Sequence, residues 1–337
     1  MAKPTPNTHS HTGAEPSDFV RSVMALSPDD IVKAKKKKRS GLDFILDNLR
    51  YVIFFVCLVI LVGSGFYIAD TLKQYSEGED LYDGLGNMIM GDAGMLEIMY
   101  QSPQSPNSPD HEASQDLTDE EIENMGSVET PSVNKEFERI KSQLVTLKKK
   151  YPDLYGWIIL PGTVINYPVM QAKDNDYYLN RSYKGTKLKA GAIFADYRNS
   201  RELLKNDNLV LYGHHMSNNT MFNSLDKYLD RSFFEGNNTV YIYTLDGMFT
   251  YKVFSVYETN KYYRYIQSAF NTREDFLIFA EEITANSIYK AKDLPLDTES
   301  KILTLSTCTN RSENGRLAVH AVMVDSYLVG EQTVTKG

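Results

Sequence analysis

The residues best placed for covalent chemistry are Cys308 and Arg316. Cys308 closes a strand-like run that begins at Lys301, and Arg316 opens the next run, RLAVHAVMV, after the seven-residue connection TNRSENG. Two such runs paired antiparallel would set the end of one beside the start of the other, at one rim of a sheet. A guanidinium beside a thiol favours the thiolate, and it can hydrogen-bond the oxyanion formed when that thiolate attacks a carbonyl. Arg311 sits nearer in sequence, inside the connection, and is the alternative partner. A cysteine nucleophile also needs a proton donor for the leaving amine, a task that imidazole performs near neutral pH. His214 and His215 follow the apolar run NLVLYG, where the chain leaves its strand, and functional side chains concentrate at such exits. His320 falls about 13 Å along the last strand from Arg316, at roughly 3.3 Å per residue, and that spacing fits a structural role better. His111 lies in a Pro- and Ser-rich stretch and is set aside.

His214, His215 and Cys308 could also be read as metal ligands. Adjacent histidines seldom meet the geometry of a tetrahedral site, however, and the sequence has no HExxH, CxxC or acidic calcium loop. No metal or other cofactor is expected. The formal net charge of −8 argues against a nucleic-acid partner, whose binding rests on basic surface.

The elements that must hold these groups are mostly strands. GWIIL and VINYPV flank the Pro161-Gly162 turn, GAIFAD and NLVLYG follow, Leu245-Asp246-Gly247 joins VYIYT to MFTYKVFSVY, and KILTLSTC and RLAVHAVMV end the series. Many short apolar runs separated by turn residues, with few helices, predict a mainly β domain built as a closed or nearly closed barrel. A helix is predicted ahead of them from about Asn134, where Phe137, Ile140, Leu144 and Leu147 share a face and Pro152 ends the pattern. A second covers 273–286, with Thr272 and Asp275 at its cap and Phe276, Phe279, Ala280 and Ile283 on one face.

Further upstream, Tyr51 to Ala69 runs 19 residues without a charge. As a helix that is about 29 Å, close to the thickness of a bilayer's hydrocarbon. Lys33, Lys35, Lys36, Lys37, Lys38 and Arg39 precede it, while Glu77, Glu79, Asp80 and Asp83 follow. The positive-inside tendency predicts a single transmembrane helix over 51–69, a disordered basic cytoplasmic tail over 1–50, and everything after Asp70 outside. Residues 70–133, which contain QSPQSPNSPD and an acidic stretch, are expected as a stalk or linker, although Leu81 to Tyr100 is apolar enough to fold locally. The folded domain is expected over 134–330. Of the two cysteines, Cys57 falls inside the span, which leaves Cys308 as the lone exported thiol. Such a cysteine is either an intermolecular link or a reactive group.

TLSTC at 304–308, Arg316 followed by LAVHA, and YGHHM at 212–216 resemble the active-site segments of sortases. DLYGWIILPGTVINYPVMQAKDNDYYLNRSY at 153–183, GAIFADYRN at 191–199 and TMFNSLDKY at 220–228 resemble class B members in particular, and the similarity runs from about Phe137 to Val324. The resemblance implies an eight-stranded sortase-type β-barrel with an N-terminal helix and inserted helices, and a transpeptidation in two stages. Cys308 would attack the carbonyl of a threonine within a C-terminal sorting signal and form a thioester. His214 would protonate the departing amine, and Arg316 would hold the substrate carbonyl and its oxyanion. The implied partners are surface proteins or pilins that carry the signal, and an amine of a peptidoglycan precursor or a pilin lysine that receives the acyl group. Asn175 and Leu179 match positions that line the family's substrate groove, and Ser306, Thr259 and Tyr263 are further candidates for it. Two other readings stay open on the residues alone: a cysteine peptidase or cell-wall amidase that passes the acyl group to water, and a stalked surface-binding module without catalysis.

Overall fold

The structure, a computed structural model, describes residues 41–100, 131–291, 296–309 and 314–329. Most of the expected tail with its basic cluster, the Pro- and Ser-rich segment with His111, and Arg311 lie outside the described residues. The chain divides into two compact units, Met1–Ile68 and Ala69–Gly337. Helix α1 (Gly41–Tyr100) begins in the first, where its side chains from Tyr51 to Ile68 are exposed. Among the described residues it is the one helix long and apolar enough to cross a membrane.

In the second unit the predicted strands close into a barrel. β1 (Leu154–Ile159), β2 (Asn166–Met170), β3 (Ile193–Ala195), β4 (Asn208–Tyr212), β5 (Thr239–Tyr243), β6 (Gly247–Asn260), β7 (Ile302–Cys308) and β8 (Gly315–Leu328) run in the order β1-β2-β3-β4-β7-β8-β6-β5. β5 pairs with β1 to complete the circle, so no strand edge is left to template association with another chain. β2–β3 and β4–β7 are parallel pairs, which require long connections, and those connections carry the inserted turns and helices.

Helix α2 (Pro131–Lys150) buries Phe137, Ile140, Leu144 and Leu147, the face its sequence predicts. A 3₁₀ turn over Phe222–Leu229 and the short helix α3 (Arg231–Gly236) have no counterpart in the sequence reading, because each is too short to show a helical period. Helix α4 (Arg273–Ala285) is capped by Thr272, whose hydroxyl accepts the Asp275 N–H, and buries Phe276, Phe279, Ala280 and Ile283.

Within the expected stalk, the stretch from Leu81 that is apolar enough to fold locally is helical and packed as far as Ile89. α1 continues through it and buries Tyr82, Leu85 and Ile89 in the main core of the barrel. Spacing of three and four residues puts these side chains on one helical face. Glu77, Glu79, Asp80 and Asp83 around its start give the segment a solvated look in sequence.

The wall formed by β4, β7, β8 and β6 is packed on both sides. Leu209, Leu211, Leu303, Leu305, Leu317 and Val319 belong to the barrel interior. Alternation along the strands sends Tyr212, Ser306, Cys308, Arg316, Ala318 and His320 to the outer side. There α4 and the β6–α4 connection close over Ala318 and Val322 as a second apolar cluster.

Candidate active site

Strand register decides which groups meet. Cys308 and Arg316 are direct partners across β7 and β8, and Arg316 is in turn the partner of Thr259 on β6. On the far side of β7, the parallel strand β4 sets Tyr212 opposite Ser306, and the Gly213 N–H extends the ladder to the Ser306 carbonyl at 3.2 Å. The register carried past Tyr212 directs His214 toward the Cys308 end of β7. Gly213 is needed for this exit, since a Cβ there would stand 2.5 Å from Ile193 Cδ1 and 2.7 Å from the Phe222 ring. One rim thus gathers an imidazole, an exposed thiol and a guanidinium.

The adjacent histidines part at once. His214 Nε2 lies 2.6 Å from the Leu179 carbonyl oxygen; a carbonyl can only accept, so this nitrogen carries a proton. His215 turns instead to Asp226 Oδ2 at 3.1 Å and to the Asn223 amide. His320 is fully buried. Thr304 gives its hydroxyl hydrogen to Asn208 Oδ1 at 2.8 Å, so His320 Nδ1, 2.9 Å from the same hydroxyl, donates, and Nε2 accepts from the Tyr257 hydroxyl at 3.1 Å. Burial pushes this imidazole from 6.5 down to about 3. It is a neutral member of the core, as its distance from Arg316 predicts.

The candidate groove residues are placed unequally. Thr259 stands beside Arg316, half-buried. Leu179 lies in the 3₁₀ turn Tyr177–Asn180, half-buried, with its carbonyl toward His214. Asn175 accepts the Tyr197 N–H at 3.0 Å and donates to Asp196 Oδ2 at 3.1 Å, so its amide is engaged within the wall. Ser306 is buried, its hydroxyl 2.8 Å from that of Tyr265. The Tyr263 hydroxyl accepts from the Asn286 amide at 2.6 Å, next to the end of α4.

Four residues that the sequence reading missed organise the surroundings. Tyr265 is buried against Ser306; burial pushes its phenol up, against the opposing influence of Ser306 and the Arg316 guanidinium. Asp196, at the end of β3, has a fully buried carboxylate that receives two hydrogen bonds from the Arg198 guanidinium, at 2.8 and 2.7 Å, and one from the Tyr212 hydroxyl at 2.8 Å. Burial alone would raise this carboxyl, but the Arg198 and Tyr212 contacts outweigh it and hold the group below the usual carboxylate range. Arg198 also reaches the Ile266 carbonyl at 3.3 Å, and the Asn208 amide the Gln267 carbonyl at 2.8 Å. With the Tyr265–Ser306 contact, these bonds tie the β6–α4 connection to β4, β7 and the end of β3. The acid and base two residues apart in FADYRN were the signal available for Asp196 and Arg198. Among the described residues, no group of three or more His, Cys, Asp and Glu side chains is gathered as a metal site.

The sequence profile of the Sortase domain family matches residues 158–324. The chain is 38% identical over 199 residues to Sortase B of Listeria monocytogenes, an alignment that covers 58% of this chain and 78% of that protein. The chain belongs to the sortase family, in class B. It is also 38% identical over 176 residues to Sortase B of Staphylococcus aureus, covering 52% of this chain and 71% of that one. Among solved structures, Clostridium perfringens sortase B superposes with a TM-score of 0.52 at 36% identity, over 54% of this sortase and 99% of that chain. A Staphylococcus aureus sortase B–substrate complex does so with a TM-score of 0.52 at 33% identity, over 61% and 97%. The closed eight-stranded barrel is the fold of these relatives, and this sortase is a cysteine transpeptidase.

Proposed function

We propose that this sortase joins the C-terminal sorting signal of surface proteins to an amine of peptidoglycan through a thioester on Cys308, with His214 and Arg316 as its partners. The reading rests on one observation: Cys308 is paired with Arg316 across β7 and β8, while β4, in parallel register with β7, ends with Tyr212 opposite Ser306, two residues short of His214 and Cys308. The Cys308 thiolate attacks the scissile carbonyl, and the charge that develops on oxygen is met by the Arg316 guanidinium. Nε2 of His214 is committed to the Leu179 carbonyl. Nδ1 is therefore the nitrogen that hands a proton to the departing amine as the C–N bond breaks. The incoming amine attacks the thioester, gives up a proton to the same imidazole, and expels the Cys308 thiolate.

Thr259, Asn175, Leu179, Ser306 and Tyr263 flank the peptide on this reading, Asn175 and Ser306 through the walls they brace. A sortase B relative whose structure carries a substrate supports a peptide in this groove. The apolar helix at 51–69 serves as the membrane anchor, and the basic residues before it favour a cytoplasmic tail over 1–50 with the catalytic domain, 134–330, outside. A pilin lysine is the second acceptor compatible with the same chemistry.

The test is to incubate the full chain in detergent with sorting-signal peptides, with and without an added amine. The amide of the added amine is the expected product, and Cys308→Ala abolishes the acyl-enzyme seen by mass spectrometry while leaving the barrel folded. Free acid formed at one rate whether or not the amine is present would replace transpeptidation by hydrolysis.

A further inference from the structure

The loop that carries His214 has a neighbour that the reaction scheme leaves unused, the part of α1 that follows the apolar span. Tyr82 is 2% exposed, donates its hydroxyl to the Gly191 carbonyl at 2.7 Å, and meets the Tyr167 ring edge-on at 5.4 Å. Each contact reaches His214 within a few more steps. Gly191, at φ +62°, presses on the 3₁₀ turn so closely that a Cβ would stand 2.6 Å from the carbonyl oxygens of both Tyr178 and Leu179. The N–H groups of Ala192 and Leu188 bond the Tyr178 and Asn180 carbonyls at 3.1 and 3.0 Å. Between those two lies the Leu179 carbonyl, the acceptor for His214 Nε2.

The second route runs through Tyr167. Its hydroxyl accepts the Met221 N–H at 3.2 Å, Met221 forms a β-bridge with His215, and the Phe222 N–H bonds the His214 carbonyl at 2.9 Å. Met221 is held at φ +57°, a backbone state that a residue with a long side chain keeps only when its surroundings impose it. Gly78, Glu79 and Tyr82 of α1 line one small cavity together with Met216, Thr220 and Met221 of the histidine loop. At Gly78 the helix already lies close, since a Cβ there would touch Ala190 at 3.6 Å and Leu188 at 3.8 Å, and a bulky side chain would have no room.

We infer that residues Tyr75–Ile89 of α1 are a positioning element of the reaction, with Tyr82 fixing the Gly191–Leu179 contact that orients the His214 ring. This rests on His214 being the acid that protonates the leaving amine. A barrel that begins at α2 would then lack part of the support of its own active site.

The full chain in detergent micelles tests it through the first stage alone, the single-turnover acylation of Cys308 with no amine present, using two substrates: the sorting-signal peptide amide and the same acyl group as a thioester whose thiolate departs without needing a proton. Tyr82→Phe, which adds no bulk, is expected to lower the acylation rate on the amide about tenfold, with substrate affinity and acylation by the thioester changed by less than about twofold. Gly78→Trp, which wedges the helix outward, is expected to show the same selectivity with a larger loss. Acylation by the amide at the parent rate in both variants overturns the inference. So does an equal loss on both substrates, which marks a general loosening of the fold. His214→Ala separates the two levels. If it too fails to discriminate amide from thioester, the acid role of His214 falls; if it discriminates and Tyr82→Phe does not, only the positioning role falls.

Discussion

The two ends of the β7–β8 pair carry the same kinds of residue and do opposite things. At the rim, Cys308 and Arg316 are partners, with Thr259 next to them on β6. Four residues deeper on the same outer face, Thr304 and His320 are partners, with Tyr257 alongside. The thiol at the rim is exposed, and Arg316 is half-buried with one N–H on the Gly315 carbonyl at 2.9 Å. The deep end lies under α4: His320 sits among the rings of Phe254, Tyr257 and Phe279, and both its nitrogens are used. A fully buried imidazole with both nitrogens bonded has no proton to exchange. Cover and hydrogen-bond satisfaction, more than residue type, separate chemistry from structure along this ladder.

The contrast breaks most severely if the cover is removed. Phe276 is fully buried in the cluster over Ala318 and Val322 and meets Phe270 edge-on at 5.3 Å. Phe276→Ala is expected to cost about 3–5 kcal/mol, the range for emptying a phenylalanine site in a close-packed core, read from urea unfolding with an unchanged slope. A loss below about 1 kcal/mol would mean that α4 does not seal the deep end.

At the rim, the corresponding change should act on rate and spare stability. Arg316→Lys keeps the charge but loses the planar fork. It is expected to lower kcat/KM for a sorting-signal peptide about a hundredfold, some 2.7 kcal/mol of transition-state stabilisation. The unfolding midpoint should barely move, because the side chain is half-buried and packs no core. Normal turnover in Arg316→Lys together with an inactive Arg311→Ala would transfer the role to the other arginine.

Much of this architecture was legible in sequence because it rests on local signals. All eight strands follow apolar runs bounded by turn residues, and α4 begins at the Thr272 cap that its sequence announces. The meeting of Cys308 with Arg316 was legible as well, since a short connection between two runs nearly dictates their antiparallel pairing. The approach of His214 was harder to see, because it depends on a parallel pairing of β4 with β7, whose partners Tyr212 and Ser306 lie 94 residues apart. Tyr265 and the Asp196–Arg198–Tyr212 cluster escaped for the same reason, as contacts between distant segments leave no periodicity. The docking of α1 was half legible: the stretch from Leu81 read as apolar enough to fold locally, but Glu77, Glu79, Asp80, Asp83 and the glycines around Tyr82 and Leu85 hid the face that docks. A helical face that narrow shows its purpose only beside the Tyr167 and Gly191 surface it meets.

The mildest test of the comparison is a titration. His320 takes up a proton at about 3 in the folded barrel and at 6.5 as an ordinary histidine. Between those values the unfolded chain holds a proton at this position that the folded chain refuses. Stability must therefore rise with pH across the window, by up to about 1.4 kcal/mol per pH unit, and the contribution is complete above 6.5. Asp196, also held deprotonated by folding, steepens the acid limb in the same direction. The wild-type curve alone cannot assign the slope to the histidine. His320→Gln removes the titration and keeps a donor and an acceptor for Thr304 and Tyr257. Subtracting its stability from that of wild type at each pH cancels the carboxylates common to both. The difference is expected to fall by one proton's slope as pH is lowered from about 6 to about 4. A flat difference would mean that the ring protonates in place, and the deep end of the strand pair would then be as open to protons as the rim.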